Sequence, residues 1–419
     1  MPAEEPSLDA RLDAARNDML GRIDQPPLGA LRARAHAHRA RRRRIATAAV
    51  ATLAVLTGGA VALRPQLGGN DTPDGGTPIA AVPVPASPSA PPSTVTGAGI
   101  SLTGLDRDAR VTDLPGRIGQ VAFVDRQTGY LLNDCAGDSS CARTLARTTD
   151  GGRTWELDEI HTDLEITELN AFPGGTVVLS SATESLVSQN SGRNWAQVPD
   201  EGTSTNSLTA GDMLCRKEQG GAFKTAALST GGRAVALSSQ PAMDVRWVAP
   251  AASASGAWWV AGVGPFGKAA VAVTHDSGQS WKPAMFEVRD VGGISVAVRA
   301  SEVYVLITGE GGGLTGVFHS TDGGGTFTPT RATAGAGDPV SVSGEAVPLP
   351  DGRLLIAGAG ATWWVSSDHG ATFTKLAGSL PAVGALRRTA AGWVADNLYG
   401  AGYVAFSTDG VDWQKLWIK

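Results

Sequence analysis

The chain has 419 residues, of which 42% are hydrophobic and 18% charged, and Lys+Arg 35 against Asp+Glu 40 gives a net charge of −5. That length exceeds one ordinary domain, the apolar content excludes a wholly disordered chain, and the acidic balance excludes a generally basic nucleic-acid binder. Gly 54 and Pro 24 together approach a fifth of the chain, which reads as loop-rich and short of low complexity.

Charge is uneven along the chain. Residues 1–44 hold ten Arg and six acidic residues, and the run ends in Arg41, Arg42, Arg43 and Arg44. Ile45 to Leu63 follows without a charge. As a helix it would span roughly 28 Å, about the thickness of a bilayer core, and arginines on its N-terminal side mark that side as cytoplasmic. The reading is a single-pass anchor at 45–63 in the cell membrane, with a cytoplasmic Arg-rich tail at 1–44 and the remainder outside. Two other readings of 45–63 are a buried helix and a signal peptide cleaved after Ala60-Val61-Ala62, a small-x-small site. Leu8 to Leu20 fits one amphipathic helix ahead of Pro26-Pro27, and the Arg run could touch acidic head groups. Pro-Pro followed by an Arg-rich run resembles the cytoplasmic ends of actinobacterial membrane proteins.

Residues 64–100 are dense in Pro, Gly, Ser and Thr and lack aromatic residues. They cannot bury enough apolar surface to offset ordering entropy and read as a semi-rigid spacer. Residues 101–419 form the folded domain.

That domain is repetitive. RTTDGGRTW, VSQNSGRNW, VTHDSGQSW, HSTDGGGTF and VSSDHGATF place an acid or amide five residues before an aromatic one. The pairs are Asp150 with Trp155, Asn190 with Trp195, Asp276 with Trp281, Asp322 with Phe327 and Asp368 with Phe373. A sixth, Asp409 with Trp413, is one residue shorter. The anchors are 40, 86, 46, 46 and 41 residues apart, and the 86 is a doubled period. Midway in it, Ser229-Thr230-Gly231-Gly232-Arg233 matches the first copy without its Asp and aromatic residue. That makes seven units, or six if the midway copy is discounted. Valine-, leucine- and aromatic-rich runs split by Gly, Pro or Asp turns give about four strands per unit. Four-stranded units repeated radially make an all-β, seven-bladed β-propeller.

The S/T-x-D-x-G-x-T-W/F signature resembles the Asp-box, or BNR repeat, over about residues 117–417. Its bearers include sialidases, the sortilin luminal domain and photosystem II assembly-factor proteins. The resemblance implies boxes at the blade periphery, joining third and fourth strands, with a structural role. Carboxylate or amide bonds to backbone N–H groups, Gly at positive φ and a packed aromatic residue give that role a physical basis.

The sialidase precedent implies three arginines, a Tyr–Glu pair and an acidic acid/base. The nearest match to its first Arg motif is Gly116-Arg117-Ile118-Gly119, which lacks the Pro, and the tyrosines are at 130, 304, 399 and 403. Tyr130 and Tyr304 sit in strand-like runs. His161, His275, His319 and His369 are scattered, no zinc spacing or G-x-S-x-G elbow occurs, and Gly309 to Gly316 reads as a hairpin. No catalytic, metal or cofactor residues are assigned. Cys135 and Cys141 flank AGDSS closely enough for a disulfide, leaving Cys215 as a buried thiol. Trp258-Trp259 and Trp363-Trp364 occupy strand positions that point to opposite faces, so packing between blades is expected over sugar stacking. Arg387-Arg388 reads as a solvated edge. The functional expectation is a non-catalytic binding or scaffold module for a protein or cell-envelope glycan. The alternatives are a sialidase-type glycoside hydrolase and a transmembrane sensor coupled to a cytoplasmic regulator.

Overall fold

The computed structural model describes residues 94–415 apart from 98, 105–113, 136–140, 163, 182–183, 200–202, 220–221, 332–338, 379 and 399–402. The expected tail (1–44), membrane span (45–63) and linker up to residue 93 lie outside the described residues, as do Tyr399 and Trp417. Among the described residues no helix is long and apolar enough to cross a membrane.

Seven four-stranded sheets follow one another along the chain. Blade 1 comprises Arg117–Phe123, Gly129–Asp134, Thr144–Thr148 and Glu156–Glu159. Blade 2 comprises Glu168–Phe172, Thr176–Ser180, Glu184–Ser188 and Ala196–Pro199. Blade 4 has Asp244–Val248, Trp258–Val263, Ala269–Thr274 and Lys282–Met285. Blade 5 has Gly293–Arg299, Glu302–Thr308, Leu314–Ser320 and Thr328–Arg331. Blade 6 has Val347–Pro348, Leu354–Gly358, Thr362–Ser366 and Thr374–Lys375, and blade 7 has Ala385–Arg388, Trp393–Asn397, Tyr403–Ser407 and Trp413–Lys415. In each of these six the strands lie side by side in chain order and antiparallel.

Blade 3 departs from the pattern. Met213–Gln219, Ala222–Leu228 and Ala234–Leu237 are antiparallel neighbours, and Ser204–Thr205, from earlier in the chain, takes the edge beside Ala234–Leu237 in parallel. The sequence 229–233, expected as a degenerate copy of the repeated turn, is a direct hairpin between the second and third antiparallel strands. The count of seven units stands, but this turn does not join third to fourth strand as the other six do.

The ring is held together by seven hydrophobic clusters, each spanning two neighbouring blades. Blade 1 packs on blade 2 through Tyr130, Leu132, Leu145, Val177 and Leu179. Blades 4 and 5 share Trp259, Val271, Val305 and Phe318. Blade 7 meets blade 1 through Val394, Val404, Phe406, Ile118, Phe123 and Leu131, with Phe123 and Phe406 stacked at 4.9 Å. That last cluster closes the circle, so no sheet face is left as an open end. Strand alternation explains the paired tryptophans: Trp258 joins the cluster between blades 3 and 4 and Trp259 that between 4 and 5. Trp364 and Trp363 likewise divide between the joints on either side of blade 6.

An N-terminal hairpin of Thr94–Gly97 and Ile100–Thr103 packs Val95 and Leu102 into the cluster between blades 6 and 7. Thr103 N–H donates to Val411 O at 3.0 Å. The first strand of this hairpin, Thr94–Gly97, lies inside the stretch 64–100 that composition assigned to the linker. Cys135 and Cys141 form the expected disulfide with Cα atoms 5.5 Å apart, and Cys215 is free and buried.

Candidate functional site

The residues singled out from the sequence build one turn six times. Its first member, Thr148, Ser188, Thr274, Ser320, Ser366 or Ser407, donates its hydroxyl to the Asp or Asn Oδ1 at 2.6–3.0 Å. The same hydroxyl accepts the N–H of a following glycine at 2.7–2.9 Å. Oδ1 then accepts a second backbone N–H across the turn, from Thr154, Asn194, Ser280, Thr326, Thr372 or Asp412. Every acceptor of Asp150 is thus spent inside its own turn. The Thr154 hydroxyl leads the bonds that hold its carboxyl down at about 2. Asp276 and Asp322 are held below the usual carboxylate range by the same kind of bonds.

The aromatic partner of each turn packs against the preceding blade. Trp155 enters the joint between blades 7 and 1, Trp195 that between 1 and 2, and Trp281 that between 3 and 4. Phe327, Phe373 and Trp413 fill the next three joints in order. Blade 3 has no such turn, so the joint between blades 2 and 3 receives no ring from one. A cleft of about 490 Å³ lies there. Its walls carry Glu168, Ser180 and Glu184 from blade 2 and Arg216, Phe223 and Arg233 from blade 3. Phe223 is 40% exposed, with the Arg216 guanidinium 4.8 Å from its ring centroid. The volume falls within the small-molecule and side-chain pocket range, and an exposed ring beside paired charges offers both stacking and directional contacts.

A second group lies at the inner strands. Glu345 N–H donates to Leu386 O on the first strand of blade 7. Burial lifts its carboxyl to about 7, against hydrogen bonds from the Trp247 indole of blade 4 and the Arg388 backbone. Its Oε2 is buried with no hydrogen-bond partner. Arg387, next to Arg388 in sequence, donates to Asp396 Oδ2 at 3.0 and 2.5 Å. Arg388 is therefore turned toward Glu345, where the sequence suggested a solvated edge, while Arg387 keeps 39% of its side chain exposed beside its Asp396 partner.

The histidines, scattered in sequence, are not all scattered in space. His319 and His369 stack at 4.2 Å and 9°, and Tyr304 stacks on His319 at 4.6 Å. The Tyr304 hydroxyl lies 3.0 Å from His369 Nδ1 and 3.3 Å from Glu302 Oε2. Tyr130 and Tyr304 are fully buried in their strands, as expected. Burial is the largest of the influences that push the Tyr304 phenol up, with Glu302 adding to it.

No family model matches the sequence, and no curated protein does. Solved structures match it. YCF48 bound to D1 peptide is 18% identical, covering 80% of this chain and 88% of its own, with a TM-score of 0.34. A GH74 enzyme from Niastella koreensis is 15% identical over 77% of this chain and 70% of its own, with a TM-score of 0.41. YCF48 from Cyanidioschyzon merolae is 13% identical over 78% and 99%, with a TM-score of 0.33. At these identities the likeness bears on the fold alone.

Proposed function

We propose that this chain is a non-catalytic binding module of the Asp-box propeller type, anchored through residues 45–63 with its propeller outside the cell membrane. Its ligand, a protein segment or a cell-envelope glycan, is taken in the cleft between blades 2 and 3. One observation carries this reading: the joint that receives no ring from a repeated turn holds a cleft of about 490 Å³ walled by Glu168, Arg216 and the exposed Phe223, whereas the cleft of equal volume between blades 4 and 5 has a turn ring, Phe327, in its wall. A ring of equal blades offers equivalent surfaces, so distinct recognition requires a place where the repeat is broken. The test is capture from a cross-linked cell surface by the wild-type chain and by F223A and R216A. The reading expects a partner retained by wild type and lost by both variants; equal capture by all three removes the cleft from the function.

The sialidase-type reading has one contact in its favour, the Tyr304–Glu302 hydrogen bond. A nucleophilic tyrosine needs an accessible, ionisable phenol, and this one is fully buried with its proton held more tightly than usual. A fluorogenic sialoside is expected to go unhydrolysed. Turnover abolished by Y304F would reinstate the hydrolase.

A further inference from the structure

We propose that Glu302, His319 and His369 form a binding site for a divalent transition-metal ion, zinc by the chemistry of its donors, across the joint between blades 5 and 6. Their ligand atoms lie within 4.8 Å of one another, the one such group among the described residues. Two imidazoles and a carboxylate are a zinc donor set, and the same set suits nickel and copper.

The repeat shows that these three residues are departures from the pattern. The position after the turn's Asp or Asn is left-handed in all six copies: Gly151, Ser191, Ser277, Gly323, His369 and Gly410, with φ between 57° and 78°. Five copies use Gly or Ser; only blade 6 places an imidazole there. His319 precedes the turn's first hydroxyl residue, where the other copies have Arg147, Val187, Val273, Val365 and Phe406. Glu302 precedes the residue paired with that hydroxyl, where the others have Thr128, Thr176, Ala257, Arg353 and Gly392. No other copy has a metal-ligating side chain at any of the three positions. In blades 5 and 6 all three change together and meet.

His319 supplies the second line of argument. It is 9% exposed, and its Nε2 is buried without a hydrogen-bond partner, 3.9 Å from Glu302 Oε1. Ligands about 2.0–2.1 Å from a tetrahedral zinc stand roughly 3.3 Å apart. Closing the set on the fixed His319 nitrogen takes a rotation of the exposed His369 ring out of its 9° stack, because imidazole lone pairs lie in the ring plane, together with a smaller shift of Glu302, at 30% side-chain exposure. The Tyr304 hydroxyl, against both Glu302 and His369, orients them from outside the donor set. The exposed face of His369 is the entry path.

H369G is the decisive variant, because Gly already occupies this left-handed position in blades 1, 5 and 7. The full chain is titrated with zinc, and affinity is read by competition with a chromophoric chelator. Substitution with cobalt reads coordination through the visible bands of the four-coordinate ion. The proposal expects one zinc per chain, bound at least about tenfold more weakly by H369G and by H319Q, with cobalt bands present in wild type and absent from both variants. Metal-free H369G is expected to match wild type in circular dichroism and Tm. Equal zinc affinity in wild type and H369G, or no cobalt bands in wild type, overturns the site; His36 and His38 contribute alike to both chains and cancel. Capture through the cleft between blades 2 and 3 is independent of this result.

Discussion

Replacing Glu345 with glutamine tests the inner cluster. Burial lifts this carboxyl from its ordinary 4.5 to about 7. A group whose pKa rises on folding holds its proton better in the folded chain. Its stabilising contribution is complete below 4.5 and is lost as pH climbs through 7. At about 1.4 kcal/mol per pH unit the displacement is worth about 3 kcal/mol, of which about 2.5 falls between about pH 5 and about pH 8. Glutamine keeps an accepting carbonyl for the Trp247 indole and the Arg388 N–H and has no proton to lose. Urea unfolding at fixed salt is therefore expected to show wild type losing about 2.5 kcal/mol more than E345Q over that interval. Parallel pH profiles for the two proteins would refute the argument, since they would require Glu345 to ionise as freely as in the unfolded chain.

The repeated turn makes two further predictions and the blade 1 disulfide a third. S407A leaves the Gly410 N–H without its acceptor in a fully buried setting and is expected to cost about 1–3 kcal/mol in urea unfolding. Gly323 and Gly324 share positive φ, but a Cβ at 323 meets nothing within 4 Å, whereas one at 324 falls 2.2 Å from the Trp259 ring. G323A is therefore expected to cost about 1–2 kcal/mol and G324A clearly more; equal losses would separate Trp259 from the turn. Reducing Cys135–Cys141, six residues apart, is expected to cost about 2 kcal/mol, read as the difference in unfolding with and without reductant.

The blade architecture was legible because the turn that builds it is local. A hydroxyl, an Asp or Asn, a glycine and an aromatic residue satisfy one another within about eight positions, so their spacing survives in the sequence. Cys135–Cys141 and the opposite-facing tryptophan pairs were legible for the same reason, being set by a short hairpin and by strand alternation. The match at 229–233 misled because Thr-Gly-Gly-Arg is compatible with any tight hairpin; without the Asp and the aromatic residue it carries no information about which strands it joins. The histidine cluster left a trace that spacing alone does not expose. His319 and His369 are each anomalous within their own copy of the turn, and successive copies touch because each blade packs on the one before.

Periodicity in the chain by itself determined the all-β class, a count of seven or six blades and the turn-forming positions Asp150, Asn190, Asp276, Asp322, Asp368 and Asp409, since these follow from bonds made within a few residues. Only tertiary structure decided what lies between the blades. Whether a ring fills a joint or a cleft opens beside Phe223, whether Arg388 faces water or Glu345, and whether two distant histidines stack all depend on surfaces some 40 residues or more apart in sequence. Joint packing is a sum of many weak apolar contacts with no required spacing, and so it leaves no signature that can be read along the chain.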